Sequence, residues 1–175
     1  MRRAMLAAAV LLSLSAAAVA MTRPQELGGS IDATQPYGRG SLTWLVFTAY
    51  EATLWTDATS WSMNAPFALT LTYRMSFTTE ELVERTVDEM AKVSPTTLKA
   101  TLGQYAAALR RAFPNVKDGD RITALHLPGS GVRFFHNGVK TAAIADPAFA
   151  EPFFGIWLSP KTSEPRLRAA LLRLR

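Results

Sequence analysis

The stretch from Arg121 to Ile144, "RITALHLPGSGVRFFHNGVKTAAI", contains three short runs of β-branched, aromatic and other apolar residues, separated by two turn signals. The first turn signal is "PGSG", and the second is the pair Asn137-Gly138. Tight hairpins favour Asn-Gly because both turn residues must adopt positive φ. A strand rather than a helix follows "GSG", which argues against a phosphate-binding loop. The stretch therefore predicts a meander of three antiparallel strands.

Two apolar runs precede this meander. The run "LTWLVFTAYEATLW", Leu42 to Trp55, is almost continuously apolar, and it predicts one strand that is covered on both faces. The run "FALTLTYRM", Phe67 to Met75, alternates between large apolar residues and smaller or polar ones. Because side chains alternate across a strand, this second run predicts a strand with one core face and one partly polar face.

Two helices are predicted between the two groups of strands. Thr78 and Glu81 have the spacing of a capping box, which predicts a helix over residues 79–93. Ser94 and Pro95 favour the N-cap and the first position of a second helix. An apolar stripe at helical spacing follows and predicts packing against a sheet: Leu98, Leu102, Tyr105 and Leu109.

The aromatic stretch "AFAEPFFGIWLSP", residues 148–160, predicts a third helix with Asp146 as its cap. Pro152 either kinks this helix or moves its start to about Glu151. Three aromatic residues recur every four positions and share one helix face: Phe149, Phe153 and Trp157. We interpret these rings as core rather than as a lipid-facing surface, because aromatic residues at this spacing are usually buried.

The last segment, "EPRLRAALLRLR", predicts a helix with leucines along one side and arginines beside them. We expect it to dock on the rest of the domain, while a helix on a membrane surface stays open as the alternative. Strands, helices, strands and helices in this order predict an α+β fold with an antiparallel sheet.

The amino-terminal residues predict export from the cytoplasm. Arg2 and Arg3 precede an apolar run that ends in the small-x-small site Ala18-Val19-Ala20, the pattern of a cleaved signal peptide over residues 1–20. We therefore expect a periplasmic or secreted protein. Residues 21–40 are rich in Gly, Pro, Ser and Thr and predict an extended lead-in, and residues 41–175 predict a single domain.

Composition argues against several classes of function. Cleavage near Ala20 would remove two arginines and lower the formal net charge from +5 to +3, which does not favour nucleic-acid binding. The chain has no cysteine, so it has neither disulfides nor thiolate ligands. Its two histidines are too few for a zinc site, and we expect neither a metal nor a cofactor.

Several segments, in this order, are similar to the bacterial branch of the chalcone isomerase-like family: "LTWLVFTAYEATLW", "ALTLTYR", "VDEM", "FPNVKDGDRIT", "VRFFHNG" and "DPAFAEPFFGIWLSPKTSEPRLRAALL". The resemblance covers about residues 40–172. It implies an open-faced β-sandwich, in which a large antiparallel sheet has helices packed on one side and a ligand cleft between sheet and helices. The family is divided, because plant members close a chalcone to a flavanone and related members bind fatty acids.

The resemblance also implies candidate ligand-binding residues. In the plant enzymes, an arginine and a threonine of the first strands and a tyrosine and an asparagine of a helix hold the substrate. Arg39-Gly40 and Phe47-Thr48-Ala49 are similar to the strand pattern, which implies ligand contacts by Arg39 and Thr48. The helix over residues 79–93 contains neither tyrosine nor asparagine, so half of the catalytic set is missing. Tyr73, with an apolar ring and a polar tip, is our third candidate.

We therefore expect an exported, non-catalytic binder of a fatty acid or a similar apolar carboxylic acid, whose head group lies near Arg39, Thr48 and Tyr73. The alternative is an isomerase (intramolecular lyase) that acts on a chalcone-like or other unsaturated small molecule. A structural or assembly factor of the cell envelope is a third class. The sequence leaves open whether any reaction is catalysed, the oligomeric state, and peripheral membrane contact.

The family fold also makes neighbours of two charged residues in otherwise apolar strands. We predict that Glu51 pairs with Arg74 in a buried ion pair. Loss of the cation in Arg74→Leu would then leave a buried carboxylate alone, at a cost of about 3 to 5 kcal/mol.

Overall fold

The computed structural model describes residues 23–97 and 99–174, and within them it shows one antiparallel sheet and four α-helices. Each strand of the sheet pairs with the next one in sequence: β1 (Gly38–Trp44), β2 (Phe47–Trp55), β3 (Phe67–Tyr73), β4 (Arg121–Leu127), β5 (Gly131–His136) and β6 (Val139–Ile144). The helices are α1 (Thr79–Val93), α2 (Lys99–Ala112), α3 (Pro147–Leu158) and α4 (Pro165–Leu172). The predicted α+β fold, a large antiparallel sheet with helices on one side, is confirmed. The predicted signal peptide lies outside the described residues.

The prediction of one strand over Leu42 to Trp55 is wrong, because the chain reverses at Leu45-Val46 and forms the β1–β2 hairpin. Trp44 pairs with Phe47 across this turn. The turn itself is apolar and contains no Gly, Asn or Pro, so the sequence offered no turn signal. β1 also begins at Gly38, which places the end of the predicted lead-in inside a strand.

The capping box that opens α1 is confirmed. The backbone N–H of Glu81 donates to Thr78 Oγ1 at 3.3 Å, and the backbone N–H of Thr78 donates to Glu81 Oε2 at 2.7 Å. The predicted start of the second helix at Ser94-Pro95 is wrong, because α2 begins at Lys99. Ser94 instead ends α1, where its N–H donates to the carbonyl of Met90. Of the predicted stripe, Tyr105 and Leu109 are buried, Leu102 is half-buried, and Leu98 lies outside the described residues.

The aromatic stretch is core, as predicted. α3 begins at Pro147 after the cap Asp146, whose Oδ1 accepts from the N–H of Ala148 at 2.9 Å. The helix contains Pro152, so the alternative start near Glu151 is wrong. Four rings of α3 are buried in the main core: Phe149, Phe153, Phe154 and Trp157. They pack between the sheet and α1 and thereby bury the helix-covered face.

α4 docks against β1, as predicted. Leu167 and Leu171 are buried in the main core. A Cβ at Gly38 would overlap the backbone carbonyl of Leu171, and a Cβ at Gly40 would lie 2.8 Å from Leu167 Cδ1. The two glycines therefore allow the helix to approach the strand. Because side chains alternate along a strand, Arg39 between them points to the opposite face of the sheet.

That opposite face has a smaller core, covered by the segment before β1. A short 3-10 helix, Gln25–Leu27, places Leu27 beside buried residues of the sheet, among them Trp55 and Leu125. The side chain of Glu26 is buried, and its Oε1 accepts a hydrogen bond from Thr123 Oγ1 at 2.8 Å. The lead-in is thus attached to the sheet by both apolar and polar contacts.

The predicted pair of Glu51 and Arg74 is present, but it is not buried. Arg74 donates from Nη2 at 3.0 Å and from Nε at 3.2 Å to Glu51 Oε1. The side chains are 43% and 44% exposed, because the pair lies near the sheet end rather than under the helices. Exposed pairs contribute less than about 1 kcal/mol, so the expected cost of Arg74→Leu falls to that range.

Candidate ligand-binding cavity

A cavity of about 490 Å³ lies between the helix-covered face of the sheet and helices α1 and α3. This volume is in the range of small-molecule sites, which span roughly 300 to 1,000 Å³. Most of its walls are apolar side chains from strands and helices, including Leu42, Leu69, Leu71, Leu82, Ile122 and Phe153. β3 and β4 contribute alternate residues, which point toward the helices, whereas β1 contributes the three consecutive residues 42–44 at its end. The cavity therefore suits an apolar ligand.

Tyr50 places a hydroxyl in this cavity. Trp157 Nε1 donates a hydrogen bond to Tyr50 Oη at 2.9 Å, so the tyrosine proton is available for another acceptor. Burial raises the pKa of Tyr50 to about 12, although the bond from Trp157 lowers it in part. At neutral pH the group is a neutral hydrogen-bond donor.

Tyr73 places a second hydroxyl beside the first. Its ring packs edge-to-face on Tyr50 with the centroids 6.0 Å apart, and the residue is 4% exposed. Burial raises the pKa of Tyr73 well above its usual value. Within the described residues, its hydroxyl has no hydrogen-bond partner, although the residue lines the cavity. The hydroxyl oxygen is not one of the fully buried polar atoms without a partner, so an acceptor group of a ligand in the cavity can reach it.

Charged residues of α1 and Glu164 complete the lining. Arg85 Nη2 lies 3.1 Å from Glu89 Oε1, and Lys92 Nζ lies 2.9 Å from the same oxygen. Ser163 Oγ donates to Glu89 Oε2 at 2.6 Å. Burial alone would raise the pKa of Glu89, but the bond from Ser163 and the two cations hold it below its usual value. Glu89 is therefore ionised and fixes the position of Arg85.

The structure brings Tyr73 into the cavity but not Arg39 or Thr48. Arg39 is exposed and lies on the face of the sheet opposite the cavity, because its neighbours Gly38 and Gly40 face α4. Thr48 is half-buried near the turn of the β1–β2 hairpin, beside an irregularity in the pairing at Leu42 and Thr43. It is not part of the described cavity lining. Strand alternation therefore places Arg39 outside the cavity lining to which Tyr73 belongs. Thr48 lies outside it because of the irregular register.

The sequence did not identify several polar lining residues, among them Tyr50, Arg85 and Trp157. Tyr50 shares the strand alternation of Ala52 and Leu54, which are core residues. Once the run from Leu42 to Trp55 is divided into two strands, this alternation indicates that Tyr50 faces the core. Arg85 follows Leu82 by three positions on α1, so helical periodicity places both on one face. Trp157 was interpreted as core, which is correct, but its indole N–H also reaches the cavity.

In residues 23–97 and 99–174, no group of three or more His, Cys, Asp or Glu residues is arranged to hold a metal ion. In the same part of the chain, no helix has the length and apolar content that crossing a bilayer requires.

An open antiparallel sheet with helices on one face and an apolar cavity between them defines the class of this fold, an open-faced β-sandwich. The sequence profile described as chalcone isomerase-like matches residues 35–173. This chain therefore belongs to the chalcone isomerase-like family.

Two individual proteins are also similar to this chain. A protein of Haemophilus influenzae described as uncharacterized is 26% identical over 142 residues, which cover 79% of this chain and 67% of that protein. The crystal structure of the Arabidopsis thaliana fatty-acid binding protein AtFAP1 superposes with a TM-score of 0.58 at 7% identity. The superposition covers 79% of this chain and 86% of AtFAP1, and it confirms the fold.

Proposed function

We propose that this protein binds a fatty acid or a similar apolar carboxylic acid in the cavity between the sheet and helices α1 and α3. The observation that carries the proposal is a cavity of about 490 Å³ with apolar walls and with Tyr73, whose hydroxyl has no described protein partner, in its lining. The fold is shared with AtFAP1, which is a fatty-acid binding protein. That likeness supports the ligand class without identifying the ligand.

The apolar walls supply the driving force. Each methylene transferred from water to an apolar site contributes about 0.8 kcal/mol, so a chain of about ten carbons gains roughly 8 kcal/mol before the entropic cost of binding. The ligand needs few polar contacts once its tail is buried.

The head group would meet Tyr73 and Tyr50. A carboxylate accepts hydrogen bonds, and both hydroxyls are donors, since Tyr50 already accepts from Trp157. Arg85 is the cation in the lining, although Glu89 shares its charge. This site differs from the one expected around Arg39 and Thr48. Arg39 lies on the opposite face of the sheet, and Thr48 lies beside the lining residues Thr43 and Ala49 without being part of the lining.

The same tyrosines favour binding over catalysis. Burial raises the pKa of Tyr50 to about 12 and that of Tyr73 still further, so neither side chain acts as a base at neutral pH. Glu89, the buried carboxylate of the lining, is held by two cations and a serine. The tyrosines and Glu89 can therefore position a ligand, but none of the three is poised to act as a base.

The experiment is a displacement titration with dodecanoic acid, using a fluorescent fatty-acid analogue as the reporter. Tyr73→Phe removes the hydroxyl and no described protein hydrogen bond, so we expect about a tenfold loss of affinity at unchanged stability. Arg39→Ala is the matched control on the opposite face and should bind as the wild type does. Dodecan-1-ol, which lacks the carboxylate, tests the head-group preference.

Three results would contradict the proposal: no binding of dodecanoic acid, equal affinity in Tyr73→Phe and wild type, or an equal loss in Arg39→Ala. If dodecan-1-ol binds as tightly as the acid, the cavity takes apolar chains but does not recognise a carboxylate. If the protein cyclises a chalcone well above the spontaneous rate, the isomerase alternative replaces binding.

We also propose that the protein acts outside the cytoplasm, in the periplasm or after secretion. The support is the sequence pattern of residues 1–20 with its small-x-small site at Ala18 to Ala20. Amino-terminal sequencing of the protein recovered from fractionated cells tests this, with Met21 as the expected first residue. Recovery of the intact chain in the cytoplasmic fraction would contradict it.

A further inference from the structure

The β1–β2 hairpin extends beyond the rest of the sheet. Pairing between β2 and β3 ends at Tyr50 and Tyr73, whereas pairing between β1 and β2 continues to Trp44 and Phe47. One further backbone hydrogen bond runs from the N–H of Arg74 to the carbonyl of Ala49 at 2.9 Å. The final two residue positions of the hairpin, Phe47 and Thr48 on β2, therefore project by roughly 7 Å, at about 3.3 Å per residue. An isolated two-stranded hairpin is only marginally stable in water.

The end of this projection is apolar. We call the four residues Trp44, Leu45, Val46 and Phe47 the hairpin tip, and they are 70%, 87%, 83% and 63% exposed. Four consecutive large apolar side chains in water are unusual for a soluble surface, and they indicate a contact that the isolated chain does not make.

The backbone of the hairpin tip gives a second indication. Leu45 has φ of 57°, in the left-handed region where glycine and asparagine are favoured. A leucine at such a position is strained, and strain of this kind is typical of functional segments. Folding of the turn alone would favour a different residue here.

The hairpin tip is continuous with the cavity rim. Leu42, Thr43 and Trp44 all line the cavity, so one strand leads from the cavity wall to the exposed tip. An apolar ligand that enters or leaves along this strand would meet whatever the tip contacts.

We propose that the hairpin tip inserts into the surface of a lipid bilayer and holds the cavity rim against the membrane. A tip of four residues is far smaller than the roughly 20 to 30 residues a side of a stable protein interface, but it suffices for insertion of apolar side chains among lipids. Aromatic residues, here Trp44 and Phe47 on both sides of Leu45-Val46, suit the bilayer interface. The formal net charge, +5 for the full chain and +3 after cleavage near Ala20, favours anionic lipids.

Membrane insertion is independent of the proposed ligand, whereas ligand exchange through the rim rests on the proposed function. The insertion test therefore contains no fatty acid. Vesicles of phosphatidylcholine and phosphatidylglycerol at about 3:1 are sedimented with the wild type and with a polar-tip variant, Leu45→Asn with Val46→Ser. Asparagine tolerates the left-handed backbone, and both side chains are exposed, so the variant should fold as the wild type does.

We expect at least a tenfold drop in the vesicle partition coefficient of the polar-tip variant. Val139→Ser is the matched control, because Val139 is also an exposed apolar residue at a hairpin end, 71% exposed. It lies on β6, four strands or roughly 19 Å from β2, and its partitioning should stay within about twofold of wild type. All proteins are prepared in the same way, so that residues 1–22 contribute equally.

A local readout accompanies sedimentation. Brominated lipids should quench the part of the tryptophan emission that is lost in Trp44→Phe. Trp55 and Trp157 are buried in the protein, and the half-buried Trp61 packs on Phe67, at the end of β3 opposite the tip. Quenching that persists unchanged in Trp44→Phe would overturn the proposal. An absence of vesicle binding would also overturn it, as would equal partitioning of wild type and polar-tip variant, or an equal loss of partitioning in Val139→Ser.

A dimer in sedimentation equilibrium that the polar-tip substitutions abolish would assign the tip to a second copy of the chain instead. Failure of dodecanoic acid to bind leaves all of these readouts unaffected.

Discussion

The β1–β2 and β5–β6 hairpins turn at the same end of the sheet, and both require positive φ in their turns: 57° at Leu45, against 49° at Asn137 and 87° at Gly138. The β5–β6 turn meets this requirement with Asn-Gly. Asn137 Oδ1 accepts from the N–H of Arg121 at 2.8 Å, and its Nδ2 donates to Asp120 Oδ1 at 3.0 Å. The β1–β2 turn meets the same requirement with an exposed leucine.

The difference separates residues that the fold needs from residues that it only tolerates. Both polar atoms of the Asn137 side chain have a partner at the start of β4, in Arg121 and the preceding Asp120, so stability explains the choice of asparagine. Leu45 has neither turn preference nor burial to explain it, so its identity points to a contact beyond the folded chain. Substitutions in the two hairpins should therefore have opposite consequences.

The largest expected contrast is between two phenylalanines. Phe134 of β5 is fully buried against the rings of Phe113, Phe149 and Phe153, and Phe134→Ala should lower the free energy of unfolding by about 3 to 5 kcal/mol. Phe47→Ala in the hairpin tip should change it by no more than about 0.5 kcal/mol. Urea denaturation measures both values, and similar losses would show that the tip is structural.

The next effect is at the polar turn itself. Asn137→Ala removes two side-chain hydrogen bonds and the short polar side chain that makes asparagine tolerant of the left-handed region, so we expect a loss of about 2 to 3 kcal/mol. Asn137→Gly loses the same bonds but relieves the backbone, and it should cost about 1 kcal/mol less. Thermal unfolding of both variants measures the two losses of stability. Equal losses would show that backbone strain at position 137 does not contribute.

A pH dependence should follow from Asp120, the partner of Asn137. Hydrogen bonds from Asn137 and from the backbone and side chain of Lys117 lower the pKa of Asp120 to about 2. Because the folded pKa is below the unfolded value, its stabilisation is complete above about pH 4 and is lost as pH falls through about 2.

Asp120→Asn should therefore destabilise by about 1 to 2 kcal/mol at pH 7, since it removes the charge from these bonds. Its stability should fall less steeply than that of wild type between pH 4 and 2. Urea midpoints across this range test the prediction, and parallel curves for the two proteins would argue against it.

The smallest expected effect has the opposite sign. Leu45→Gly relieves the left-handed backbone but increases the entropy of the unfolded chain, so the free energy of unfolding should stay constant or rise by up to about 1 kcal/mol. The reciprocal change Gly138→Ala should destabilise by about 1 kcal/mol. A clear loss of stability in Leu45→Gly would mean that the leucine supports the hairpin after all.

The parts of the fold that sequence predicted correctly depend on short-range patterns. Thr78 and Glu81 form their capping box within one helical turn, and Asn137-Gly138 forms its turn between adjacent strands. The rings of α3 recur at helical spacing and are buried as expected. Each of these patterns has one dominant local structure.

The errors arose where a local pattern has two meanings or none. Ser94-Pro95 resembles a helix start, but proline is also common just after a helix end, and here α1 ends at this point. Leu45-Val46 has no turn chemistry, so the two strands on either side of it were joined into one. The charges of Glu51 and Arg74 were paired correctly, while their exposure depended on the position at the end of the sheet.

The sequence by itself determined the order and type of most elements, the family, and the apolar character of the core, because these depend on residue preferences and periodicity along the chain. Tertiary structure decided which side chains share a site. Arg39 lies away from the cavity because α4 packs against Gly38 and Gly40, whereas Tyr50 and Tyr73 meet because β2 and β3 pair in register at these residues. Register and helix packing join residues that are far apart in sequence, and no local pattern carries that information.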